Sequence, residues 1–346
     1  MVRGIDLFAS AGGLTLGLKA AGVETVCAVE IDPYRTRTFA LHTPGARIIT
    51  DDVRRVEFAE FAGTVQLVYG GPPCQPFSSG GLRKAEADER DMIPQFLRVV
   101  GEVKPDAFLM ENVPGLVASD RMNYLSKVID QLEDLDFAVT WKVLNACDYG
   151  VPQKRRRLFV VGLRTTPFDF PEPTHGLGCP NPRVRVRDVL PADYVGEPNP
   201  SKVFYAKNPD LRPSPYDGHV FNGGGRPIDR DQPSHTILAS AGGNKTHFFD
   251  DSNLVPDYHA YLMKGGTPRS GALEGARRLS VRESAALQTF PAGMEFCGPI
   301  SAQYHQVGDA VPPLLAYVVG QALLAQMAAP SKQRPTRRSR QGVLFE

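Results

Sequence analysis

One cysteine in this chain sits in a context that a merely structural cysteine does not need: Gly70-Gly71-Pro72-Pro73-Cys74-Gln75-Pro76-Phe77-Ser78-Ser79-Gly80-Gly81. Free Cys is ordinarily a small buried hydrophobe, but here prolines stiffen the segment around the thiol and glycines flank it. Proline fixes φ and removes a backbone donor, so Pro72-Pro73 neither continues a strand nor opens a helix at Pro72. The apolar run Val65 to Tyr69 reads as a short buried strand. Cys74 therefore stands just past a strand's carboxyl end, where open α/β sheets bind ligands, and its thiolate is a candidate nucleophile. Glu111-Asn112 closes a second such strand, Asp106 to Met110, parallel to the first, so both residues are candidates for the same pocket. A carboxyl group there takes a raised pKa and delivers a proton. Taken singly, Glu111 reads equally well as a solvated loop acid. Gln153-Lys154-Arg155-Arg156-Arg157 leads into a third apolar run. On a strand, Arg155 and Arg157 share one face and Lys154 and Arg156 the other. One face then serves a pocket and the other solvent or phosphates, although a charge run alone is usually a solvated face.

A second constellation lies at the N-terminus. The strand Gly4 to Ala9 runs through Ser10-Ala11-Gly12-Gly13 into a helix that ends at Gly22, and Glu30 closes the next strand, Thr25 to Glu30. Glycines let backbone amides approach a ligand, the helix N-terminus favours a carboxylate or phosphate, and an acid after the second strand takes ribose hydroxyls. This is the layout of a nucleoside-cofactor site. The full GxGxxG is absent, which disfavours a pyrophosphate cofactor, and a plain tight turn is the competing reading. Asp52, after the strand Arg47 to Thr50, is placed either to accept from an adenine amino group or to cap a helix.

These residues are positioned by strands that alternate with helices, at Pro33 onward, Met92 to Val103 and Met122 to Leu135. Strands follow at Phe137 to Leu144 and Arg157 to Leu163. The alternation predicts an α/β fold with a parallel sheet covered on both faces. Composition shifts at Thr166. The Pro/Gly/Asn-rich stretch that follows, with strand-like pieces at Val184 to Val186 and His235 to Ala239, reads as a second, irregular and mostly β domain. Its expected core is Phe204, Tyr205, Tyr216, Phe221, Phe248, Phe249, Tyr258 and Tyr261. The expected division is 1–165, 166–275, a return segment with a C-terminal helix (Pro313 to Met327) at 276–329, and a disordered basic tail at 330–346. The 346 residues are 42% hydrophobic and 22% charged, with a net charge of +1, so a nucleic-acid partner must be met by local basic patches. The five cysteines show no CxxC spacing, which suggests neither a disulfide framework nor a zinc site. The N-terminus leads directly into a strand, leaving no room for a signal peptide, and the expected location is the cytoplasm.

The ordered set of these motifs resembles the DNA (cytosine-5)-methyltransferases of bacterial restriction–modification systems. Asp6-Leu7-Phe8-Ala9-Ser10-Ala11-Gly12-Gly13 resembles that family's first motif, Gly71 to Ser78 its nucleophile loop, and Glu111-Asn112-Val113 its acid motif. Val143 to Gly150 with Gln153 to Arg157 resembles the seventh and eighth motifs. Arg278 to Glu283 with Leu287 to Pro291 resembles the ninth, and Gln306 to Pro313 the last. The matches run in family order over residues 4 to 325 and leave a variable target-recognition slot at 166 to 275.

The resemblance implies a Rossmann-like, doubly wound sheet that binds S-adenosylmethionine, a cofactor without phosphate, which suits a Gly-Gly turn lacking the pyrophosphate fingerprint. It implies that Phe8, Ala11, Gly12, Gly13, Leu14, Pro73, Asp309, Ala310 and Val311 line the cofactor. Glu30 then takes the ribose, and Ile31, Asp52 and Val53 hold the adenine. Cys74 adds to cytosine C6 while Glu111 protonates or hydrogen-bonds N3. Arg157 holds O2, and Asn112, Arg155 and Gln153 support the pocket. The target base is flipped out of double-stranded DNA beneath a loop hinged at Gly80-Gly81, with Ser78, Gly81 and Arg83 against the DNA. In the recognition slot, Thr236, Ile237, Asn244 and Lys245 are expected to contact DNA, with Arg226 or Arg230 reading guanine. A monomer is expected, with a cognate restriction endonuclease as a possible partner. Ser10 and Asp309 depart from the family's usual Gly and Asn, the second placing a negative charge near the domain junction. Competing readings are an RNA-methylating relative, disfavoured because the Cys-Phe-Thr element of the tRNA branch is absent, a catalytically idle DNA-binding relative, and an NAD- or flavin-binding enzyme.

Overall fold

Short apolar runs rich in Val, Ile and Leu form the strands, and proline or glycine marks most of the breaks between them. The computed structural model describes residues 1–73, 90–119, 121–190, 198–206, 208, 209, 211, 221, 222, 225–239 and 245–329. The strands β1 (Val2–Leu7), β2 (Val23–Glu30), β3 (Arg47–Thr50), β4 (Leu67–Gly70), β5 (Ala107–Asn112), β6 (Ala138–Asn145) and β7 (Arg156–Leu163) make one sheet. Their order is β3-β2-β1-β4-β5-β7-β6. The helices between them are α1 (Gly13–Ala21), α2 (Pro33–His42), α3 (Ile93–Val103) and α4 (Met122–Asp134).

Side chains alternate across the sheet as the pleat requires. Val68, Phe108 and Met110 pack with α3 and α4 on one face. Leu67, Tyr69, Ala107 and Leu109 pack on the other with α1 and with the C-terminal helix α9 (Pro313–Met327). The sheet departs from the all-parallel expectation at its far edge, where β7 is antiparallel to both β5 and β6. The link between β6 and β7, residues 146–155, holds the 3-10 turn Ala146–Tyr149 and no crossover helix, so the chain returns antiparallel. Glu111 and Asn112 fall inside β5 instead of after it, paired with Phe159 and Leu158.

Beyond Leu163 the strands shrink to two residues each: β8 (Phe204–Tyr205) with β9 (Phe221–Asn222), and β10 (Phe248–Phe249) with β11 (Arg277–Arg278). The strand expected at Val184 to Val186 is instead the start of a short helix, α5 (Val186–Val189), and His235 to Ala239 forms no strand. A helix not anticipated from the sequence, α6 (Leu254–Met263), carries Tyr258 into the local core. Phe248 and Phe249 are buried as expected, but Phe204 and Tyr261 are exposed, while Tyr216 and the Phe221 side chain lie outside the described residues. The return segment forms α7 (Val281–Leu287) and α8 (Ile300–Asp309) before α9. Ile300–Met327 is long and apolar enough to pass for a membrane span, but it is broken between α8 and α9 and mostly buried within the molecule. The basic tail at 330–346 lies outside the described residues.

Candidate active site

Parallel pairing sets Gly70 beside Met110 and so brings the root of the Cys74 loop to Glu111. That root is held on two sides. Asn112 Nδ2 donates to the Pro72 carbonyl at 3.0 Å, and the Met92 amide, at the head of α3, donates to the Pro73 carbonyl at 3.0 Å. A Cβ on Gly71 would stand 3.0 Å from Glu111 Oε2, so a side chain there would press on the acid. Cys74, Ser78, Gly81, Arg83 and Asn244 lie outside the described residues.

Glu111 is buried and pairs with Arg157, whose Nε donates to Glu111 Oε1 at 2.8 Å. Burial raises the Glu111 pKa above the ordinary carboxyl range; Arg157 and Arg155 oppose that rise, and Asp309 adds to it. Arg155 stands one residue before β7. It is fully buried and donates to the carbonyls of Ile237 at 2.8 Å, Gly308 at 2.6 Å and Ala310 at 2.9 Å. Burial and the neighbouring Arg157 push its pKa down, but three carbonyl acceptors suit the charged guanidinium. Arg155 and Arg157 therefore do different jobs, one fixing the frame and the other touching the acid. Gln153 joins the frame. Its Nε2 donates to Leu287 O and Gln288 Oε1, and its Oε1 accepts from the Ile237 amide at 2.9 Å.

At the opposite end of the sheet, Glu30 closes β2 with each oxygen engaged by a main-chain donor: Ser10 N at 2.8 Å on one and Asp32 N at 2.9 Å on the other. Each oxygen keeps a lone pair for a further donor such as a ribose hydroxyl. Beside it Ile31 is 65% exposed, an uncovered apolar side chain at a strand's carboxyl end, where a base ring would find its seat. Asp52 takes the capping alternative. It caps the turn Val53–Arg55 through the Arg54 amide and pairs with the Arg54 guanidinium, which lowers its pKa. Phe8 and Gly12 adopt positive φ in the turn, and Ala11, Leu14 and Val53 are buried. A Cβ on Gly13 would fall 2.4 Å from the Val311 carbonyl, so the segment 309–311 lies directly over the Gly12-Gly13 turn. This donor set fits a phosphate-free nucleoside cofactor such as S-adenosylmethionine.

Beneath the turn runs a buried polar chain. Thr15 Oγ1 donates to Asp6 at 2.5 Å, and Tyr69 OH lies 2.7 Å from both Thr15 and Thr25 hydroxyls. Because the Thr15 hydrogen is spent on Asp6, Tyr69 donates to Thr15 and Thr25 to Tyr69. Burial pushes Asp6 up to about 8.

Of the expected DNA contacts, Lys245 is exposed, and Thr236 Oγ1 donates to the Lys154 carbonyl at 2.7 Å. Ile237 is buried, so it anchors the segment instead of reaching a ligand. Arg230 pairs with Asp251 and lies 4.0 Å over the Phe249 ring. Arg35 escaped the reading of the sequence altogether. It pairs with Asp309, 274 positions away, and reaches Ser10 Oγ at 3.4 Å.

Comparison with known proteins agrees with this geometry. A model of the C-5 cytosine-specific DNA methylase family matches residues 2–325. The Type II methyltransferase M.PspPI of Psychrobacter sp. (strain TA137) is 35% identical over 347 residues, covering 95% of this chain and 80% of its own length. The Type II methyltransferase M.NgoMIV of Neisseria gonorrhoeae is 31% identical, covering 92% of this chain and 96% of its own. The crystal structure of Spodoptera frugiperda DNMT2 shares the fold, with a TM-score of 0.68 at 16% identity and coverage of 94% and 99%. The match along nearly the whole chain places it in the C-5 cytosine-specific DNA methylase family, as a methyltransferase of cytosine in DNA.

Proposed function

We propose that the chain methylates C5 of one cytosine within a short, specific double-stranded DNA sequence, as the modification enzyme of a type II restriction–modification system in the cytoplasm. The observation that carries this reading is the buried Glu111–Arg157 pair beside the root of the Cys74 loop. S-adenosylmethionine, when bound by Glu30, Ile31 and the Gly12-Gly13 turn, supplies an electrophilic methyl group. Cytosine C5 is too weak a nucleophile to take it unaided. Cys74 thiolate adds to C6 while Glu111, whose pKa burial raises, protonates or hydrogen-bonds N3, so that C5 becomes the nucleophilic carbon of an N4–C4=C5 enamine. C5 then takes the methyl group. A base removes the C5 proton, the Cys74–C6 bond breaks as the 5,6 double bond returns, and N3 gives its proton back to Glu111. A free thiol ionises near about 8.5, so a cation close to Cys74 favours the thiolate. Arg157, whose Nε holds Glu111, is the group suited to meet the cytosine O2. None of this is possible on a stacked base, so the target is flipped out at a cost of a few kcal/mol.

Bisulfite sequencing of DNA from a host expressing the wild-type chain, beside one expressing Cys74→Ser, tests the reading. Protected cytosines in one short motif, absent with the mutant, are expected. Protection that persists in Cys74→Ser removes the covalent step, and protection confined to RNA moves the substrate.

A further inference from the structure

The two positions at which this chain departs from the pattern it resembles, Ser10 and Asp309, meet on a single side chain. Arg35, in the first turn of α2, sends Nη1 to Ser10 Oγ and Nη2 to Asp309. Asp309 is the last residue of α8 and begins the strap that crosses the Gly12-Gly13 turn, with Ala310 and Val311 against Gly13. The strap is gripped from two sides. Arg155 takes the carbonyls of Gly308 and Ala310, and Arg35 takes the carboxylate between them. The turn underneath needs such support. Phe8 and Ser10 stand at φ of 62° and 50°, a left-handed region in which residues with a Cβ are strained. The Ser10 amide is also the donor that fixes Glu30.

We propose that Arg35 is a positioning residue for the cofactor site. It ties the strap at Asp309 to the turn at Ser10 and neutralises the carboxylate this chain carries there. The inference rests on the cofactor reading above. Without Arg35 the strap loses one of its two grips, and Asp309 is left as an uncompensated charge at the edge of the cleft. α2 itself has other moorings. Its Thr38 Oγ1 accepts from the Cys297 amide at 2.8 Å, His42 Nε2 lies 3.0 Å from the Glu295 carbonyl, and Asp32 caps its N-terminus. Loss of the Arg35 side chain therefore leaves the helix in place.

The test is a double-mutant cycle read by calorimetric binding of S-adenosylhomocysteine, together with the melting temperature of each ligand-free protein. Arg35→Ala and Asp309→Asn are each expected to weaken binding, Arg35→Ala by about tenfold, and the double variant to bind no worse than Arg35→Ala alone. Arg35→Gln, which keeps helix propensity, repeats the loss if Arg35→Ala is poorly folded. A merely structural role lowers the melting temperature without this coupling. Binding within twofold of wild type in either Arg35 variant overturns the inference, as do single-variant losses that add in the double. A wild-type chain that fails to bind S-adenosylhomocysteine overturns the cofactor reading and this inference with it.

Discussion

The two halves of the sheet each end in a nearly buried glutamate, and the halves differ in what holds it. Glu30 closes β2 at 7% exposure and Glu111 lies near the end of β5 at 8%, on either side of the central β1–β4 pair. Glu30 is held by backbone N–H groups of Ser10 and Asp32, donors that persist whatever side chains occupy those positions. Main-chain donors make a fixed acceptor. Glu111 instead faces side chains, with Arg157 in contact and Arg155 and Asp309 near enough to bias its proton. Burial favours its neutral form, and each neighbour moves that balance. One fold position thus yields a binding acid in one half and a titrating acid in the other.

Exchanging the roles is the most direct way to break the comparison. Glu111→Gln is expected to lower kcat by about two to four orders of magnitude while S-adenosylhomocysteine affinity stays within twofold. Glu30→Gln should do the reverse, acting mainly on that affinity. Steady-state kinetics and calorimetry check the pair, and equal effects on both readouts dissolve the distinction. A finer probe is the pH profile of kcat/KM. In its proposed role as acid, Glu111 should lose activity on the alkaline side as it ionises, on a limb that burial moves above the usual carboxyl range. Asp309→Asn removes a like charge, so the limb should move to lower pH. The smallest effect concerns Asp6, beneath the cofactor turn. Its carboxyl rises from 3.8 to about 8 on folding, so the native state binds the proton more tightly than the unfolded chain. The stability it lends is complete below 3.8 and drains away as pH climbs toward 8. Asp6→Asn, which cannot ionise, should gain on wild type in melting temperature by a few degrees as pH rises through that window.

Much of the catalytic half was legible because its signals are local. β3 was readable at its observed ends, Arg47 and Thr50, and α9 at Pro313 and Met327, since proline, glycine and apolar period mark such boundaries within a few residues. Glu30 and Glu111 were legible for the same reason: an acid at the end of an apolar run is a local signal. What the sequence concealed depends on distant partners. Val184 to Val186 has strand propensity, but the Val186 and Arg187 amides donate to the Gln232 and Arg230 carbonyls, and the Arg185 amide donates to Asp188 Oδ2 across the first turn of a helix. His235 to Ala239 looks like a strand, yet its polar backbone is satisfied by Gln153 and Arg155 side chains in place of a ladder. The direction of β7 turned on the length of a connection, and Arg35 on a residue at the other end of the chain.

The seam between the catalytic half and segment 234–237 bears on which residues that segment can carry. Lys154 N meets the Ser234 carbonyl at 2.8 Å, Ser234 N meets the Pro152 carbonyl at 2.9 Å, and Gln153 and Arg155 grip the amide and carbonyl of Ile237. On the recognition side these are main-chain atoms, common to every sequence. Apart from Thr236, whose hydroxyl donates to the Lys154 carbonyl, and the buried Ile237, the fastening therefore places little demand on which side chains the segment carries. Such a joint keeps the Gln153–Arg155 frame in register with the segment through bonds that most substitutions there would leave intact.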